Sequence, residues 1–119
     1  MKALAMAVAA VALLAGCGGS TTAQPAGSIK VSMSEFKFDP ATINVPSGKV
    51  VFYLVNSGTT SHDLIIRDSS NNRVSGSELV SAGDAIVFTV DTIPAGTYTY
   101  FCDQSGHEAS GMKGTLTIT

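Results

Sequence analysis

Two histidines, one cysteine and one methionine are the residues of this chain whose types and spacing could hold a soft metal ion. The whole chain carries two histidines and two cysteines in 119 residues. Cys102, His107 and Met112 lie in one stretch with the spacing Cys-x4-His-x4-Met. A loop of that length can bring three side chains round an ion but cannot complete a four-ligand site alone. His62 is the remaining histidine, placed where the polar Ser57-Gly58-Thr59-Thr60-Ser61 run gives way to Leu64-Ile65-Ile66. Two imidazoles, a thiolate and a thioether form a soft, mixed donor set that favours copper over hard cations. A His2Cys plane with a weak axial Met is the ligand set of copper sites that pass single electrons.

Each residue has a plainer reading. A methionine is more often core filler than ligand, a buried cysteine is a small hydrophobe, and a histidine is more often a surface or hydrogen-bonded side chain. Zinc competes for Cys and His, but a structural zinc site takes four Cys or His ligands and does not choose a thioether, so Met112 argues for copper. Thiol catalysis by Cys102 with His107 lacks a visible third group to orient the base.

The cysteine count gains meaning from the N-terminus. Lys2 precedes an apolar run from Ala3 to Ala15, too short to cross a bilayer as an ordinary helix and suited to the core of an export signal. The run ends in Leu14-Ala15-Gly16-Cys17, which resembles the lipobox of bacterial lipoproteins; this predicts a signal over 1–16 and a lipid on Cys17. A plain secretory signal cut within Ala23 to Ala26 is the alternative, and export follows from either. Residues 17–27 are small and polar and are predicted to form a flexible tether. With Cys17 lipidated, Cys102 is left without a disulfide partner in an oxidising compartment, where a bound metal would protect it.

The elements that must position these residues are strands. From Ser28 onward, short runs rich in Val, Ile, Phe, Tyr and Thr alternate with Gly, Pro, Asn and Ser, the pattern of an all-β sandwich of seven to nine strands over 28–119. Strands are predicted at Ile29 to Met33, Thr42 to Val45, Lys49 to Asn56, Asp63 to Arg67, Ala85 to Val90, Gly96 to Cys102 and Gly114 to Thr119, with weaker ones near Phe36 and Leu79. Pro46-Ser47-Gly48, Pro94-Ala95-Gly96 and Asn71-Asn72 are the turn signals. Period-two alternation puts Tyr98, Tyr100 and Cys102 on one, inward face and Thr97, Thr99 and Phe101 on the other, with Leu116 and Ile118 inward further on. Without residues 1–16, six basic side chains face nine acidic ones, and no basic run accompanies aromatics, which sets nucleic-acid binding aside.

The run Gly96-Thr97-Tyr98-Thr99-Tyr100-Phe101-Cys102, then His107, then Gly111-Met112-Lys113-Gly114-Thr115-Leu116, resembles the C-terminal copper loop of the cupredoxins. The likeness extends through Glu35-Phe36-Lys37-Phe38-Asp39-Pro40, Val45-Pro46-Ser47-Gly48 and Ser61-His62-Asp63, and so covers Ile29 to Thr119. The resemblance implies a two-sheet Greek-key sandwich with one copper ion near one end, held by His62, Cys102 and His107, with Met112 as the axial ligand. It implies a partly exposed His107 as the electron exit and a tyrosine corner at Tyr98. Two departures matter: the gap of four residues between Cys102 and His107 is longer than in plastocyanin, and Asp63 stands where many relatives have Asn. A carboxylate there could tie the ligand loops together while adding negative charge that favours the oxidised ion.

The expected function is a monomeric type 1 copper protein that carries one electron between redox proteins outside a bacterial membrane. Copper storage, delivery or sensing is the alternative, weakened because only Met33 and Met112 follow the signal and no histidine is spare. An oxidase or nitrite reductase needs further histidine-rich copper centres, so an enzyme is not expected.

Overall fold

The computed structural model describes residues 22–119, so the signal expected over 1–16, Cys17 and the first part of the tether expected over 17–27 lie outside the described residues. Nine strands follow in order: β1 (Ile29–Ser34), β2 (Lys37–Asp39), β3 (Thr42–Val45), β4 (Gly48–Asn56), β5 (Ile65–Arg67), β6 (Arg73–Gly76), β7 (Ala85–Ile93), β8 (Gly96–Phe101) and β9 (Lys113–Ile118). They form a four-stranded sheet in the order β2-β1-β4-β7 and a five-stranded sheet in the order β3-β9-β8-β5-β6. β1 runs parallel to β4 and β3 parallel to β9, while the other neighbours are antiparallel. The all-β sandwich expected from the spacing of the apolar runs is the one observed.

The inner faces meet in one core that includes Val31, Met33, Phe52, Leu54, Ile66, Tyr100 and Leu116. The alternation read from β8 holds: Tyr98, Tyr100 and Cys102 are buried, whereas Thr97, Thr99 and Phe101 are not. Leu116 and Ile118 of β9 are buried as expected. The tyrosine corner is present, with the Tyr98 hydroxyl donating to the Pro94 carbonyl at 2.8 Å.

The structure departs from the expected strands in three places, the first being β7, which runs on to Ile93 rather than ending at Val90. The strand expected over Asp63 to Arg67 begins at Ile65, because the Leu64 backbone bonds to Ser77, beyond the end of β6, and the Asp63 side chain turns to the Asp103 amide. His62 instead makes an isolated antiparallel bridge with Val80. The weak strand expected near Leu79 is replaced by β6 at Arg73–Gly76, an edge strand with no inward apolar row for periodicity to detect, and Leu79 is exposed. The turn between β5 and β6 falls at the expected asparagines, with Asn71 at φ 64° and the Asp68 carboxylate accepting from the Ser70 and Asn72 amides at 2.9 Å.

Candidate metal centre

Two loops at one end of the sandwich, one following β4 and the other joining β8 to β9, supply the donor atoms. The 57–61 loop leaves β4 at Asn56, whose buried side chain organises it: Nδ2 donates to the Thr60 and Val80 carbonyls at 2.8 Å, and Oδ1 accepts from the Gly58 amide at 2.9 Å. The backbone of His62 then exchanges hydrogen bonds with Val80 at 3.1 and 2.8 Å. That bridge holds the backbone from which the imidazole projects, and the side chain is fully buried.

The second loop leaves β8 after Phe101 and returns as β9. Its ligand candidates are stapled together through the backbone of Met112, whose amide donates to the His107 carbonyl and whose carbonyl accepts from the Cys102 amide, both at 3.1 Å. Cys102 and Met112 are fully buried, and His107 is half-buried. Outside the loop, Arg67 pairs with Glu108 and lies over the Phe101 ring at 4.3 Å, which braces the segment on either side of the ligands.

The donor atoms converge. His62 Nδ1 is 3.2 Å from His107 Nδ1, and Cys102 Sγ is 3.5 Å from His107 Nδ1 and 3.9 Å from His62 Nδ1. A triangle with sides of 3.2, 3.5 and 3.9 Å has its centre about 2 Å from each corner, the length of a metal–nitrogen bond and a little short of a metal–sulfur bond. The residues present therefore fit a metal ion in both donor type and spacing. Burial pushes the Cys102 thiol above its ordinary value, which keeps this lone sulfur protonated and unreactive until a metal replaces the proton.

Asp63 ties the two ligand loops together, as its position suggested. Its Oδ1 accepts from the Asp103 amide at 2.9 Å, and its Oδ2 takes a longer bond from Gln104 Nε2 at 3.5 Å, joining the first ligand loop to the second. Burial first, and the Asp103 carboxyl beside it second, push Asp63 up to about 6. At pH 8, above that value, Asp63→Asn is expected to keep the bond from the Asp103 amide, remove one negative charge and raise the reduction potential of the copper-loaded protein by a few tens of millivolts. A redox titration showing an unchanged or lower potential would count against this electrostatic role.

The sequence reading brought His62, Cys102, His107, Met112 and Asp63 to this end of the sandwich, and all five are found there; Cys17 lies outside the described residues. It missed what the β1–β2 turn contributes. Glu35 Oε1 accepts from the Thr59 and Thr60 amides at 2.8 Å and from the Thr60 hydroxyl at 3.0 Å, and lies 3.2 Å from His62 Nε2. The two amides hold its carboxyl down to about 2. Phe36 meets the His107 ring edge-on at 5.0 Å. The quoted Glu35-Phe36-Lys37-Phe38 stretch contained both residues, but nothing local to it points at a ligand.

A family model described as "Cupredoxin-like domain" matches residues 4–118. The chain belongs to the cupredoxin-like family. Plastocyanin of Dryopteris crassirhizoma is 35% identical over 98 residues, covering 72% of this chain and 91% of the relative. Plastocyanin of Scenedesmus fuscus is 30% identical over 88 residues, covering 68% and 85%. Among solved structures, dithionite-reduced auracyanin from Roseiflexus castenholzii superposes with a TM-score of 0.69 at 20% identity, over 77% of this chain and 96% of that one. At that identity the likeness is one of fold, and it is the cupredoxin sandwich just described.

Proposed function

We propose that this cupredoxin is a one-electron carrier that holds a single copper ion in a type 1 site. The observation that carries the reading is the triangle of two imidazole nitrogens and one thiol sulfur, beside a buried thioether stapled into the same loop. His62, Cys102 and His107 would hold the ion, with Met112 as the weak axial ligand. Copper bound by such a set supplies a reversible Cu(II)/Cu(I) couple.

The chain's own part is to hold those donors still. Rapid transfer requires that neither oxidation state rearrange its ligands, and each donor here is anchored by contacts that do not depend on the metal: His62 by its bridge to Val80, Cys102 and Met112 by their shared backbone bond, His107 by its carbonyl. The half-buried His107 ring beside the exposed Phe36 is the place where an electron donor or acceptor protein would approach. Copper delivery fits less well, since Met33, the other methionine after the signal, is fully buried in the core and offers no surface thioether. We further propose a monomer tethered by a lipid on Cys17 to the outer face of a bacterial membrane; the support is the Lys2, apolar run and Leu14-Ala15-Gly16-Cys17 pattern.

The test is the visible absorption spectrum of the purified protein with one equivalent of copper(II), followed by ascorbate and then oxidant. An intense orange-red band that bleaches and returns is expected. No band, with zinc or nothing bound on metal analysis, would overturn the reading.

A further inference from the structure

The contact between Glu35 and His62 does more than close a loop. An imidazole that binds a metal through Nδ1 must carry its proton on Nε2, and the group that accepts that proton decides both the tautomer and the basicity of the ring. In this structure Nδ1 of His62 points at Cys102 and His107, and Nε2 points the other way, at Glu35 Oε1, 3.2 Å distant. Glu35 therefore cannot itself be a ligand; it meets the nitrogen on the far side of the ring.

We propose that Glu35 is a positioning residue that accepts the Nε2 proton of His62, fixes the tautomer whose Nδ1 faces the metal, and biases the copper couple toward the oxidised state. The carboxylate is itself held firmly, by the Thr59 and Thr60 amides and the Thr60 hydroxyl, so its oxygen is aimed rather than free to swing. The loop has a glycine where the carboxylate passes: a Cβ on Gly58 would lie 2.6 and 2.8 Å from the two carboxylate oxygens. A carboxylate accepting from a ligand histidine raises the donor strength of that ring, which stabilises the more highly charged ion. With Phe36 against His107, the Glu35-Phe36 turn thus touches both imidazoles of the site, one by charge and one by packing.

The electrochemical half of this inference rests on the copper reading, and the tautomer half does not. Glu35→Gln keeps an acceptor of the same shape and removes the charge. The copper-loaded variant is expected to retain the thiolate band and to shift its redox equilibrium about tenfold toward the reduced ion, which is about 59 mV for a one-electron couple. Glu35→Ala removes the acceptor. Long-range proton–nitrogen NMR of the metal-free protein at pH 8 is expected to find His62 as the Nε2–H tautomer in the wild type and as a mixture with Nδ1–H in Glu35→Ala. A folded Glu35→Gln with a potential equal to wild type, a wild-type His62 protonated on Nδ1, or a Glu35→Ala with the wild-type tautomer would each overturn the proposal and leave Glu35 as a loop clamp. If the wild type gave no thiolate band with copper(II), the copper reading would fail, while the NMR comparison would still decide whether Glu35 sets the tautomer.

Discussion

Cys102→Ser is expected to abolish the intense visible band of the copper-loaded protein altogether while leaving the sandwich folded. The band requires a sulfur-to-copper bond, and Cys102 supplies the thiol of the donor triangle; a serine hydroxyl at that place is a hard, weakly acidic donor that does not replace it. The exchange is nearly isosteric, and the buried hydroxyl has the ring nitrogens of His62 and His107 within reach of the position the sulfur occupies. The stability cost is therefore that of a modest hydrogen-bond change, about 1 kcal/mol, with an unaltered far-ultraviolet circular dichroism spectrum. Met112→Gln makes the contrast: copper and the band stay, and the potential changes, because an axial ligand tunes the couple without forming the His2Cys plane. Copper that still gave the band after the loss of Cys102 would refute the ligand assignment.

The largest effect on stability is expected at Gly114. This residue pairs directly with Tyr100 across β8 and β9, and a Cβ there would run into the Tyr100 ring on one side and lie 2.6 Å from the Ala41 carbonyl oxygen on the other. Neither neighbour can give way. The Ala41 carbonyl already accepts the Thr115 amide at 2.9 Å. The ring of Tyr100 is fully buried, packs edge-on against Phe38 at 5.2 Å, and its hydroxyl donates to the Pro40 carbonyl at 2.6 Å. Burial pushes the Tyr100 phenol up to about 12, so it stays a neutral donor throughout the working range. Gly114→Ala should cost about 3 kcal/mol, near the upper end for overpacking a core. For a domain of this size that is a fall in melting temperature of roughly 15 °C, measurable by calorimetry. Tyr100 also lies two residues before Cys102 on the same strand face, so the copper band should shift in the variant as well. A loss under about 1 kcal/mol would show that the β8–β9 pair can spread to admit a methyl group.

Chemical identity and strand alternation were both legible without coordinates. The four candidate donors were recognisable because histidine and cysteine occur twice each in this chain and the softness of the set restricts the metal, a property of atoms that folding does not change. The inward row of Tyr98, Tyr100 and Cys102 followed from the two-residue period of a strand, and so did the inward Leu116 and Ile118. Periodicity says which face a residue takes, however, and not what it meets there. Where the Leu64 backbone bonds to Ser77 instead of continuing the ladder, the predicted start of β5 was wrong by two residues. Where an edge strand had no buried row, β6 went unseen. Asp63 was legible because it neighbours a ligand in the chain, whereas Glu35 was not, because 27 residues separate it from His62. The parallel register of β1 on β4, which sets Met33 opposite Asn56, is what carries the β1–β2 turn to the 57–61 loop. Hydrogen bonds between loops depend on that register to within a fraction of an ångström. The side chains that could bind the metal were thus fixed by residue type, while the groups that aim them were decided by tertiary pairing, since directional bonds form only once distant strands are in place.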